Sequence, residues 1–335
     1  KEYRRQRQMC IRDRTRTALE GGSVGTAGGA SPASRRRRPF RGRHALTLLA
    51  FMAPAIVFVC WFTYWPMLQG ARMAFHDWNL WDLTSTPWVG FDNFVTVFQD
   101  PAFPVVAWNS VLWVVGSLVP QLVIGFLIAL ALRKRFRFRG LYQALVFFPW
   151  AVSGFLIGML FRWMFNAEFG VVNDLLMKVG LIDAPLPWLA DPKLAMFAVI
   201  VANIWYGVTF FAIMILAALQ SVPDEMLEAA SLDGAGKVRQ LFSIIIPYIS
   251  MTLLLTILLR IIWIFNFPDI IYAMTNGGPA NQTHIVTTWM INYTQQGNYG
   301  IASAIGLIVV AFLFVFCAFY LMAMRKVQRL SLIHI

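Results

Sequence analysis

Asn203, Tyr206 and Thr209 interrupt one long apolar stretch of the chain, and Asn266 and Asp269 interrupt another on either side of Pro268. A polar group in hydrocarbon is expensive, so each such residue is a candidate contact along a solute path. Asn offers donors and acceptors, and Tyr or Trp offers a flat apolar face. Together they suit a polyhydroxylated ligand such as a sugar. Asn266 and Asp269 are three apart and are predicted to share a helix face. Trp205 reads as packing rather than contact. Arg260, in the same stretch as Asn266, lies nine residues before Asp269, roughly opposite it around a helix. It therefore needs a partner from another helix, a carbonyl or water, and a structural or gating role is expected of it. Arg162 and Glu168 are expected to snorkel or pair at an interface.

A second set of residues is polar, small and clustered. Residues 221–247 read SVPDEMLEAASLDGAGKVRQLFSIIIP between two apolar runs. Ser221 or Val222 is predicted to cap a helix whose first turn holds Pro223, Asp224 and Glu225, where fixed φ and the helix dipole favour them. Gly234 and Gly236 permit the left-handed turn that ends it. Pro247 bends or restarts the following helix. Ala229 and Ala230 let a partner's backbone come close, while Glu228 and Asp233 offer charge. Docking and plain solvation are both open on these grounds alone.

Other chemistry lacks its residues. There is no GxxxxGK[ST] phosphate loop, and the apolar stretches hold no paired carboxylates, HExxH or Ser/His arrangement for an enzyme. Cys10, Cys60 and Cys317 form no disulfide or zinc spacing, and His44, His76, His284 and His334 are scattered. No cofactor is expected on this chain.

Positioning these residues falls to membrane helices. The 335 residues are 59% hydrophobic and 13% charged, with mean hydropathy +0.63. A soluble domain is nearer half apolar and a quarter charged. About 20 apolar residues cross a hydrocarbon core roughly 30 Å thick. Six stretches qualify: 45–66, 106–132, 141–165, 194–220, 248–273 and 301–324. The alternation of a membrane barrel is absent, so the fold is all-α, integral and multi-pass. The net charge of +12 does not point to nucleic acid, because 23 of the 28 Lys and Arg fall on one side of these spans. The positive-inside rule puts both termini and the 221–247 loop in the cytoplasm.

The outer loops differ in character. Residues 67–105 are rich in Trp and Phe and read as an interfacial cap, 166–193 hold a short amphipathic helix at NDLLMKVGLI, and 274–300 open on the turn sequence TNGGPANQT. Residues 1–34 read as a disordered tail in which 1–14 resemble adapter read-through, as does 330–335; the six-span membrane body is expected over 35–329.

The 221–247 segment resembles the EAA signature of bacterial ABC importer permeases: Glu228-Ala229-Ala230, Asp233-Gly234-Ala235, then Ile244 and Ile246-Pro247, with Ile246 standing where Leu is usual. NIWYG (203–207), NFPDIIYAMTNGGP (266–279), GIASAIG (300–306) and WVGFDNF (88–94) are similar to the larger membrane subunit of maltose-type importers and their sugar and glycerol 3-phosphate relatives. The resemblance covers nearly the whole chain beyond residue 40. It implies the fold of a type I importer permease in the bacterial inner membrane. Its loop would be a coupling helix, with Glu228 the charged contact to an ATPase and Gly234 the turn that sets the helix angle. It implies a second homologous permease, two copies of a cytoplasmic ATPase that hold the ATP and magnesium, and an extracytoplasmic solute-binding protein. Sugar contacts would fall at Tyr206, Gly207, Phe210 and Asn266. Glycerol 3-phosphate or another polyol is the alternative cargo, and a stand-alone secondary transporter with helices broken at Pro120 or Pro268 is the alternative class.

Overall fold

The computed structural model describes residues 42–82, 84–134 and 136–333. The expectations for the tail, 1–34, and for His334 and Ile335 lie outside them. The described residues form helices and loops, with isolated β-bridges and no strand. Five helical stretches are long and apolar enough to cross a membrane, and a sixth is a bent pair.

The chain divides at Cys60. On the first side lies α1 (Gly42–Val59), apolar around its circumference and exposed along the residues described. The rest begins with a π-helical turn (Cys60–Tyr64) and α2 (Trp65–Met73), then α3 (Asp92–Gln99) and α4 (Phe103–Arg133). Pro120 sits inside α4 without ending it. Next come α5 (Arg139–Phe147), a 3-10 turn (Phe148–Ala151) and α6 (Gly154–Met164).

The third expected span, 141–165, is not one straight helix. Arg139–Ala151 and Gly154–Met164 meet at 97°. Pro149 cannot donate to the turn before it, and Val152 and Ser153 are extended (ψ 140 and 138), which breaks the hydrogen-bond ladder. Beyond it, α7 (Val171–Lys178) lies in the second outer loop, where an amphipathic helix was expected. The helix α8 (Pro192–Gln220) starts cleanly because the Asp191 carboxylate accepts from the Lys193 and Leu194 amides.

After α8 come α9 (Asp224–Leu232), α10 (Lys237–Gln240), a π-helical turn (Leu241–Ile245) and α11 (Ile246–Phe265). The chain ends through α12 (Asp269–Met274), α13 (Val286–Gln295) and α14 (Tyr299–Ile333). The fifth expected span breaks between α11 and α12, so Asn266 and Asp269 do not share a helix face: Asn266 closes α11 and Asp269 opens α12. Pro268 has no amide to give the Ile264 carbonyl. That carbonyl takes the Trp113 indole N–H of α4 at 2.9 Å instead.

Packing concentrates where helices carry small or bulky residues in register. One cluster gathers Trp113, Ile157, Phe161, Ile200, Ile264 and Ile271; a second gathers Leu132, Phe211, Ile215, Leu219 and Ile249. Gly158 of α6 faces Ala273 of α12, the small-residue contact that lets membrane helices approach closely. Lipid-facing Leu and Phe supply no drive for helices to associate, so such close contacts and polar bonds across helices carry specificity.

The outer loops are pinned by single amides. Asn93 donates to the Ala74 and His76 carbonyls at 2.9 Å each, and Asn173 accepts the Trp188 indole N–H at 2.8 Å while donating to Leu186 O. Asn79 donates to Asn298 at 2.9 Å, which joins the first and third outer loops.

Candidate functional site

Two regions hold the residues singled out from sequence. The first is the loop 221–247. Its helix α9 opens at Pro223, whose extended backbone (ψ 134) is the N-cap. Ser221 does not cap α9; it closes α8, its hydroxyl donating to the Ala218 carbonyl at 2.8 Å. Pro223 fixes its own φ there, and no side chain caps the first turn of α9. At the other end Gly234 has φ +78, and Ala235 N reaches back to Ala230 O at 2.9 Å. This is the wide turn by which helices commonly stop, in a conformation other residues adopt only with strain. Gly236 is not left-handed: at φ −65 it is the N-cap of α10. Pro247 lies in the first turn of α11 and follows the π-helical turn, so the chain restarts there without a sharp bend.

No residue of α9 is buried. Glu228, Ala229 and Asp233 are exposed, as is Pro247, while Ala230, Ala235, Ile244 and Ile246 are half-buried. Leu232 is 90% exposed. The Gln240 amide donates to Ser231 Oγ at 2.8 Å and to Ala235 O at 2.9 Å, bracing the two legs of the turn. Arg133, at the end of α4, lies 3.7 Å from Asp224.

The second region lies where α4, α8 and α11 meet. Gln121 is fully buried and makes two bonds across helices. Its Nε2 donates to the Asn203 carbonyl and its Oε1 accepts from Arg260 Nε, both at 2.8 Å. The Asn203 amide donates to Ser117 Oγ at 2.9 Å. The Arg260 guanidinium also lies 5.5 Å from the centre of the Phe210 ring. Arg260 is 3% exposed, and no ion pair to it is formed among the described residues. Its partners thus come from other helices, as its position required.

Gly207 is the space this arrangement needs. A methyl there would overlap both the Arg260 guanidinium and the Gln121 carboxamide. Gly207 and Asn203 therefore face neighbouring helices and not an open channel. Tyr206, half-buried, stacks on Phe267 at 5.2 Å with planes 1° apart. Phe210 meets Trp150 and Trp263 edge to face at 6.1 and 5.6 Å. Asn266 and Asp269 are exposed, and the Asn266 amide turns back to the Ile262 carbonyl at 3.0 Å.

A cavity of about 40 Å³ lies among Trp150, Tyr206, Arg260, Trp263, Ile264 and Phe267. That is the share of about one water, against roughly 300 Å³ or more for a small-molecule pocket. Gln121, Trp150 and Trp263 escaped the sequence reading. Gln121 alone carried a legible signal, a polar residue inside the apolar run LVPQLVIG. Arg162 and Glu168 form no ion pair among the described residues; Arg162 instead lines an outer pocket with Trp163, Asn166 and Phe169.

Apolar helices cross-linked by buried polar side chains, above an exposed helix–turn–helix, define a multi-pass membrane protein of the permease kind. Residues 121–329 match the family of binding-protein-dependent transport system inner membrane components, and the chain belongs to that family. It is 32% identical over 265 residues to the probable ABC transporter permease protein YurN of Bacillus subtilis, covering 77% of this chain and 89% of that one. It is 30% identical over 268 residues to the trehalose/maltose transport system permease protein MalF of Thermococcus litoralis, covering 80% and 90%. Among solved structures it is similar to a chain of a bacterial ABC transporter that imports the acidic polysaccharide alginate. The TM-score is 0.74 at 27% identity, covering 85% of this chain and 96% of that one. The fold is that of a type I importer permease.

Proposed function

We propose that the chain is one of two homologous permease subunits of an ATP-driven sugar importer in the bacterial inner membrane. The observation that carries this reading is the exposed loop around α9. A short helix with Leu232 bare to solvent, closed by a left-handed Gly234 and braced by Gln240, is shaped to be gripped and moved. Two copies of a cytoplasmic ATPase, which hold the ATP and magnesium, would engage this loop and its counterpart in the second permease. An extracytoplasmic binding protein would deliver the substrate, as a periplasmic protein carrying an alginate pentasaccharide does for the solved alginate transporter.

ATPase closure would draw the coupling helices together and open the outer mouth; hydrolysis would restore the inward-facing state. The substrate side of this chain would be the partly exposed Trp150, Tyr206 and Trp263, backed by the buried Phe210, with exposed Asn266 and Asp269 following Trp263 along the chain. The 40 Å³ cavity is far below saccharide size, so within this chain it holds no sugar. Glycerol 3-phosphate or another polyol is the second reading, since aromatic faces and amides serve any polyol.

Glu228→Lys tests the coupling role. The variant should insert into membranes normally and lose co-purification with a co-expressed cognate ATPase. A variant that still co-purifies and supports uptake at the wild-type rate removes Glu228 from the interface.

A further inference from the structure

We propose that the groove between the end of α4 and the coupling loop binds the headgroup of an anionic phospholipid from the cytoplasmic leaflet. The groove encloses about 580 Å³. Arg133, Lys134 and Lys237 line it against one carboxylate, Asp224, so it carries an excess of positive charge. The Arg133–Asp224 contact is long at 3.7 Å, and the Asp224 side chain is 89% exposed. Such a solvent-screened pair yields readily to a competing phosphate.

The rest of the lining is apolar, including Leu130, Leu227, Leu241 and Ile245. Cations at the rim with an aliphatic wall match a phosphodiester joined to acyl chains, and basic pockets between membrane helices on the cytoplasmic side bind such headgroups. Depth agrees as well. The apolar helix α4 ends at Arg133, so the groove lies at the level of lipid phosphates.

The site is compatible with the coupling role. Leu227 lines the groove, whereas Ala229, two residues on and about 160° round the helix, is exposed on the far side. An ATPase that grips the Ala229 side leaves the groove to lipid. The cytoplasmic placement rests on the orientation given above, but binding itself is measured in detergent, where orientation plays no part.

The test is native mass spectrometry of the delipidated full chain, titrated with phosphatidylglycerol or phosphatidylcholine. Phosphatidylglycerol should form a discrete adduct at about tenfold lower concentration, and millimolar inorganic phosphate should not displace it. Lys134→Gln with Lys237→Gln should weaken that adduct about thirtyfold, at about fivefold per cation. Arg325→Gln with Lys326→Gln, at the end of α14, should leave it unchanged. Equal binding of the two lipids overturns the proposal without recourse to any variant. So does an undiminished adduct in the folded Lys134/Lys237 variant, displacement by inorganic phosphate, or displacement by the purified ATPase.

Discussion

Gln121 Oε1 accepts a hydrogen bond from Arg260 Nε at 2.8 Å, across 139 residues of sequence and between two membrane helices. The same carboxamide donates to the Asn203 carbonyl of a third helix. One neutral side chain thereby ties α4, α8 and α11 together and gives a buried cation its main partner.

Gln121→Leu should destabilise the chain by about 1–3 kcal/mol, because the Arg260 charge is left buried with its strongest hydrogen bond gone. Gln121→Leu with Arg260→Met should be milder than the sum of the single changes, since no orphaned charge remains. Unfolding by SDS in mixed micelles measures this. Strict additivity would remove the pair as a coupled unit.

Gly207→Ala tests the same site from the third helix. The added methyl has no space beside Arg260 and Gln121, so overpacking should cost about 1–3 kcal/mol. A single variant as stable as the wild type would show that the helices are not packed as described.

Asn266→Leu addresses substrate. Asn266 is exposed at the end of α11 and contacts only its own helix, so assembly should be unaffected. In proteoliposomes with the second permease, the ATPase and the binding protein, the sugar-stimulated ATPase rate should fall several-fold while the basal rate stays. Unchanged uptake kinetics would take Asn266 off the path.

Gly234→Val should leave the membrane helices in place and misdirect α10, because φ +78 costs a branched residue about 1–2 kcal/mol. No side chain crowds Gly234, so the loss is purely conformational. The expected result is normal expression with reduced transport, read as ATP hydrolysed per sugar moved.

His284 makes the third outer loop sensitive to acid. It is buried, lies within 3.1 Å of Thr288 Oγ1 and packs on Gly277; burial lowers its pKa from the ordinary 6.5. The depressed value means the folded loop favours the neutral ring. Stability is full above pH 6.5 and is lost as the pH falls below it toward the lowered value. Protease cleavage between residues 276 and 289 should rise as the pH drops from about 7 to about 5, and His284→Gln should flatten that rise.

The sequence by itself determined the membrane class, the expected orientation and the local backbone of the 221–247 loop. Each is set by chemistry that needs no distant partner. Apolar length sets a span, the placement of Lys and Arg sets the inside, and Gly234 and Pro247 act on their own backbone. The bend at Pro149 and the break at Pro268 were less legible, because hydropathy measures how apolar a stretch is and not whether its hydrogen bonds continue. Only the tertiary structure decided what the buried polar residues do. Asn203 and Gly207 looked like lining for a path, yet Asn203 reaches Ser117 and Gly207 makes room for Gln121 and Arg260. In hydrocarbon the same rule governs a ligand contact and a helix-to-helix bond, since both satisfy a polar group that water cannot reach. Which of the two forms depends on the residue that faces it, and that neighbour comes from another helix.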